Sequence, residues 1–119
     1  MPSETDLSSS PPVHAGVHTI TRAPDGDAVV APWGEVDYDS APLLYRAVNG
    51  LTAGDGGVVL DMADVTFMDI AGLHFLRYLR SYGEEHRRAV TTVNWGRQPQ
   101  RVLTLAGSLL DEPPLGAGR

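Results

Sequence analysis

Residues Val58-Val59-Leu60-Asp61-Met62-Ala63-Asp64-Val65-Thr66-Phe67-Met68-Asp69-Ile70-Ala71-Gly72-Leu73 decide the fold. The run opens with Val58-Val59-Leu60-Asp61-Met62, short, apolar and β-branched at its start, directly after the turn-forming Gly54-Asp55-Gly56-Gly57. This predicts a buried strand, because β-branched side chains suit a pleated surface and so short a run cannot sustain a helix. At Asp69 the period changes. Over residues 71–88, Phe75, Leu76, Leu79 and Tyr82 recur on one stripe, whereas Arg77, Arg80, Ser81, Glu84, Glu85 and Arg88 fall elsewhere, the pattern of an amphipathic helix. Asp69 is placed to cap it, since a carboxylate accepts hydrogen bonds from the free N–H groups of a first turn and meets the positive end of the helix dipole.

Outward from this segment the other elements follow. Upstream, residues 17–22 alternate as a strand, Pro24-Asp25-Gly26-Asp27 carries turn chemistry, and Ala28-Val29-Val30-Ala31-Pro32-Trp33 completes a hairpin. Pro32 has no N–H for a ladder, which predicts a sheet edge or a strand end there. Asp39 or Ser40 caps a helix over about residues 41–50, with Pro42 in its first turn, Leu44, Ala47, Val48 and Leu51 at helical spacing, and Asn49-Gly50 as the stop. Downstream, residues 90–93 read as a further parallel strand. Pro99 then opens a shorter helix, about residues 99–106, with Val102, Leu103 and Ala106 inward and Gly107 as its C-cap.

The order β-β-α-β-α-β-α predicts one α/β domain, a mixed four- to five-stranded sheet packed with α-helices, over residues 17–110. Residues 1–16 hold four Ser, three Pro and almost no large apolar side chain. Burial there cannot repay the entropy of ordering, so a disordered N-terminal tail is expected, and residues 111–119 read as a flexible C-terminal tail of the same kind.

Composition removes several chemistries. All 9 basic Lys/Arg positions among the 119 residues are Arg, so no lysine is present for a Schiff base, a lysine base or a P-loop clamp. The absence of Cys excludes thiol nucleophiles, disulfides and thiolate metal sites. His14, His18, His74 and His86 lack metal-ligand spacing, and no metal or other cofactor is expected. A net charge of -6, with Arg87-Arg88 the one adjacent basic pair, argues against a nucleic-acid partner. No apolar run approaches the ~18 residues needed to span a bilayer, and the polar start lacks a signal-peptide pattern. A cytoplasmic protein without direct membrane insertion is expected.

Three stretches together resemble the signatures of the STAS domain: Gly34-Glu35-Val36-Asp37, the 58–73 run, and Val102-Leu103-Thr104-Leu105-Ala106-Gly107. This family includes bacterial anti-sigma factor antagonists. The resemblance implies partner switching, in which the domain binds an anti-sigma factor with a serine-kinase-like fold and thereby frees a sigma factor for transcription. It also implies a docking surface of Asp37, Asp69, Ile70, Ala71, Gly72, Leu73 and His74. In the family's usual Asp-Ser-Ser-Gly-Leu run the residue before Gly is phosphorylated to break the complex; here the run reads Asp69-Ile70-Ala71-Gly72-Leu73. Ala71 stands at the acceptor position and Ile70 has no hydroxyl either, so no phosphorylation is expected where the family takes it.

The nearest hydroxyl is Thr66, the alternative acceptor, whose place beside Phe67 at the end of the strand predicts burial. Asp37 reads either as a residue near the acceptor or as a helix-entry residue. Asp69 reads as a cap rather than an acid catalyst, and His74 as a solvated residue flanking the loop. Trp95 is expected at the sheet end that carries this loop, as an exposed anchor or a packed side chain. A protein-binding antagonist is the first reading. A STAS adaptor subunit of a transporter, lipid-transport or sensory complex is the alternative, and an enzyme ranks last because no nucleophile–base pair or phosphate loop is visible.

Overall fold

The computed structural model describes residues 14–22, 26–52, 54 and 56–110. Of the tails expected at residues 1–16 and 111–119, residues 1–13 and 111–119 lie outside the described residues, and Ala15 and Gly16 belong to the first strand. Alternating and apolar runs pair into one mixed sheet of β1 (Ala15–Arg22), β2 (Asp27–Val36), β3 (Val58–Asp61), β4 (Asp64–Met68) and β5 (Val90–Val93), packed with α1 (Ala41–Asn49), α2 (Ile70–His86) and α3 (Arg97–Leu110). β1 and β2 form the antiparallel hairpin, and the pairs β2–β3, β2–β4 and β3–β5 are parallel. The path is β1-β2-β3-β5, with β4 beside β2. The first strand begins at Ala15, opposite Gly34, two residues before the boundary read from the sequence.

β4 is a strand of its own, which the reading of the sequence does not separate from β3. β3 pairs with Ala28–Val30 and β4 with residues 33–36, so the two strands follow one interrupted track along β2. A turn fills the interruption, with the Ala63 N–H donating to Asp61 Oδ1 and the Val65 N–H to the Met62 carbonyl. The same break corrects the expectation for Pro32, which lies inside the central strand β2, opposite Val17 of β1. The Ala28 N–H donates toward the β3 side, to Gly57 O at 2.9 Å. Two and four residues on, the N–H side again faces that way, and Pro32 therefore falls where β2 changes partner from β3 to β4 and no ladder donor is required.

The helical stripe buries as its spacing demands. Phe75, Leu76, Leu79 and Tyr82 of α2 join Val30, Val58, Leu60 and Met68 of the sheet and Leu44 and Val48 of α1 in one core. Each such side chain contributes about 1.5–3 kcal/mol when fully buried. Tyr45 of α1 meets Phe75 edge-on, with ring centroids 5.5 Å apart, which fixes α1 against α2. Arg87 ends α2 in the left-handed region, φ 56, and the Arg88 N–H returns to Gly83 O at 2.8 Å.

Two further expectations are corrected here. Arg88 is buried and does not lie on the solvent side, because the helix ends at His86 and the helical period no longer sets its direction. Its guanidinium donates from Nε to Gly56 O (2.6 Å), from Nη1 to Thr52 O (3.1 Å) and from Nη2 to Gly26 O (3.0 Å). α3 begins two residues before Pro99 and runs through Gly107 to Leu110, so Gly107 is not its cap. One glycine inside a helix costs about 1 kcal/mol relative to alanine, which the helix-compatible residues around it offset.

Candidate functional site

The loop from β4 into α2 is built as a cap. Asp69 has extended backbone, and its Oδ1 accepts from the Ala71 N–H at 2.8 Å. Its own N–H donates to Val36 O at 3.2 Å, which ties the start of α2 to the end of β2. Gly72 is buried, and a Cβ there would run into the Met68 side chain and approach Val36 Cγ1. Glycine thus lets α2 begin in close contact with the sheet. Outward from it, Ile70 is 64% exposed, Ala71 and Leu73 are half-buried, and His74 is exposed.

Asp37 is brought to the same end of the sheet, one residue beyond Val36, and its carboxylate serves the entry to α1. Oδ1 accepts from the N–H groups of Asp39 and Ser40, each at 3.0 Å. Ser40 stands at the N-cap position, but its hydroxyl donates to Glu35 O at 2.6 Å and accepts from the Asp37 N–H, so no side chain caps α1, and the Asp37 backbone carbonyl takes the Ala41 N–H at 2.8 Å. Tyr38, at the tip of this turn, is 84% exposed. The β1–β2 pairing adds a neighbour that sequence spacing could not reveal: ligand atoms of His14, Glu35 and Asp37 lie within 4.8 Å of one another, with His14 and Glu35 exposed.

The Ser40 N–H holds the Asp37 carboxyl below its ordinary 3.8, against the opposing effect of burial and with help from the Ser40 hydroxyl, the Asp39 N–H and the His14 charge. A carboxyl lowered in the folded state contributes stability that is present above 3.8 and is lost as pH falls through the folded value. Wild type should therefore lose melting temperature more steeply than Asp37→Asn as pH is lowered from 5 toward 3, read by thermal melts across that range. Parallel curves would show that the carboxylate does not support the turn.

Thr66 departs from expectation because it is exposed, not buried, and Phe67 beside it is 41% exposed. The cause is a bulge: Gly34 pairs with Val65 and Glu35 with Phe67, so Thr66 is the extra residue and the in–out alternation breaks. Trp95 is half-buried, packs against the core, and donates its indole N–H to Thr92 Oγ1 at 2.9 Å, so it is the packed side chain of the two alternatives. A residue missed in the sequence is Gln98, whose amide reads β4 as a strand would. The Met68 N–H donates to its Oε1 at 2.8 Å, and its Nε2 donates to Met68 O at 2.9 Å.

Ile70, Leu73, His74 and Arg77 of α2 and Val102, Leu105 and Ala106 of α3 line an apolar groove of about 340 Å³. Leu105 at its rim is 59% exposed. The α3 side of the groove was also missed, although Val102, Leu105 and Ala106 follow the i, i+3, i+4 spacing of one helix face. Among the described residues, no helix is long and apolar enough to cross a membrane.

The fold agrees with a known family. The sequence profile of the STAS domain matches residues 18–115, and the chain belongs to that family. Among solved structures, the anti-sigma factor antagonist SpoIIAA in its unphosphorylated form is similar with a TM-score of 0.63 and 13% identity, over 77% of this chain and 81% of that one. An anti-sigma factor antagonist from Mycobacterium paratuberculosis gives 0.63 and 24% identity over 87% and 88% of the two chains. The murine Slc26a9 anion transporter in its inward-facing state gives 0.63 and 16% identity over 92% of this chain and 21% of the transporter. No curated protein matches the chain.

Proposed function

We propose that this STAS domain is a cytoplasmic, non-enzymatic regulatory module that docks an anti-sigma factor of serine-kinase-like fold, through the start of α2 and the adjoining Asp37 turn. The observation that carries the reading is Ile70, a large apolar side chain left 64% exposed where the helix starts, at the mouth of an apolar groove. Such a side chain gains by being covered, and the backbone beneath it is held rigid by Asp69 and Gly72. The likeness to two structures named as anti-sigma factor antagonists supports this choice of partner.

The contact is not switched at the usual position. Ala71 offers a neutral surface where the family's acceptor stands, so the complex persists where a phosphorylated relative would release its partner. Replacing Ala71 with Ser should create a substrate if the partner is an active kinase. Ala71→Glu should weaken binding by tenfold or more, about 1.4 kcal/mol, because a charge buried at the contact must shed its water without a matched cation. A carboxylate in the first turn of a helix does not harm folding, so melting temperature should hold while affinity falls. The partner, recovered by pull-down from the native host, is titrated calorimetrically against both variants. Unchanged affinity for Ala71→Glu would move the contact away from this loop and favour the adaptor reading.

A further inference from the structure

Spacing along the chain gives no reason to expect a metal, but the pairing of β1 with β2 supplies one. It brings His14 to Glu35 and Asp37, which stand 21 and 23 positions further on in the sequence. Ligand atoms of the three all lie within 4.8 Å of one another, and His14 Nε2 is 3.7 Å from Glu35 Oε1. The backbone fixes this meeting. The Glu35 N–H donates to His14 O at 3.4 Å, and Gly34, at φ 80, comes so close to the same carbonyl that a Cβ there would collide with it. Glu35 and Asp37 are two residues apart and so share the face that His14 meets. Asp37 is held in turn: its Oδ1 accepts from the Asp39 and Ser40 N–H groups, each at 3.0 Å, and a carboxylate has acceptor capacity beyond two such bonds.

We propose that His14, Glu35 and Asp37 form a binding site for a divalent cation of the zinc type. One imidazole and two carboxylates are ligands that such an ion takes, and the two negative charges match its own. Calcium seeks six to eight oxygens, which three side chains with an imidazole among them do not supply. Zinc bonds nitrogen and oxygen at about 2.0–2.2 Å, so the ligands of a tetrahedron stand about 3.3–3.6 Å apart. The His14–Glu35 separation of 3.7 Å is already close to this, and both side chains are exposed and able to rotate over the remaining distance. Three protein ligands leave the fourth position to water. An ion held there ties the start of β1 to the turn that leads into α1, so binding is linked to the stability of the hairpin.

The full chain, treated with a chelator and dialysed, is titrated calorimetrically with zinc chloride at neutral pH. One ion per chain should bind, about tenfold or more weakly in His14→Ala and in Glu35→Gln, and with unchanged affinity in His18→Ala, which removes the other exposed histidine of this edge. Zinc should raise the melting temperature of the wild type and leave that of His14→Ala where it was. His14→Ala removes an exposed side chain and keeps both carboxylates, so full affinity in this variant would mean simple attraction of a cation to two acidic groups and would overturn the site. No binding, or zinc that an excess of calcium displaces, overturns it as well. The site stands or falls apart from the docking surface, which the Ala71→Glu titration tests.

Discussion

Leu76→Ala is expected to lower the free energy of unfolding by about 2 to 5 kcal/mol. Leu76 is buried in the seam where α2 meets the sheet, among Phe75, Leu79 and Met68. Removing three carbons there loses their transfer from water and leaves a cavity that a close-packed surround fills only in part. Arg80→Ala, one turn on and facing solvent, should cost less than about 0.5 kcal/mol. What it removes includes an exposed ion pair to Glu84 at 3.8 Å, and such i, i+4 pairs are worth a few tenths. Urea melts of the two variants provide the comparison. Equal losses would mean that the buried face of α2 is assigned to the wrong side.

Arg88→Ala should cost about 3 kcal/mol, since hydrogen bonds from a charged donor contribute about 1.5–3 kcal/mol each but are not additive in a shared site. Three carbonyls, of Gly26, Thr52 and Gly56, converge on this one guanidinium from two separate connections. Truncation leaves them facing a cavity and unties the β1–β2 turn from the segment that leads into β3. Arg88→Lys separates charge from shape: an ammonium is a point charge without the planar fork, so Lys should recover less than half of the loss. Recovery to the wild-type midpoint would show that a charge in this place is enough and that fork geometry adds nothing.

The sequence was most legible where one period ruled a whole segment. The α2 stripe, the Asp69 cap and the β1–β2 hairpin rest on local spacing; the helix and its cap lie within a residue or two of their expected places, and the hairpin is in place with its second strand running three residues further, to Val36. What escaped depends on contacts between distant residues. β4 is five residues long with two consecutive exposed positions, so it shows no alternation until its bulge is known. Arg88 looked like one more solvent-facing charge because the carbonyls it serves lie 32 to 62 positions away. At the candidate site, Asp69 to His74 were visible as a motif, whereas the α3 wall of the groove and the pairing of His14 with the Asp37 turn exist only once the chain has folded.

Gln98 sets where the sheet stops. By answering the Met68 N–H and carbonyl with its own amide, this side chain plays the part of one residue of a sixth strand and leaves no room for a real one along that stretch of β4. Unsatisfied strand edges invite other chains to continue the ladder, which is the common route from a native sheet to aggregate. A single glutamine thus protects the end of the molecule where another protein is expected to sit. It allows contact through side chains on the helices while denying contact through backbone, so that a visitor can be let go without the sheet being extended.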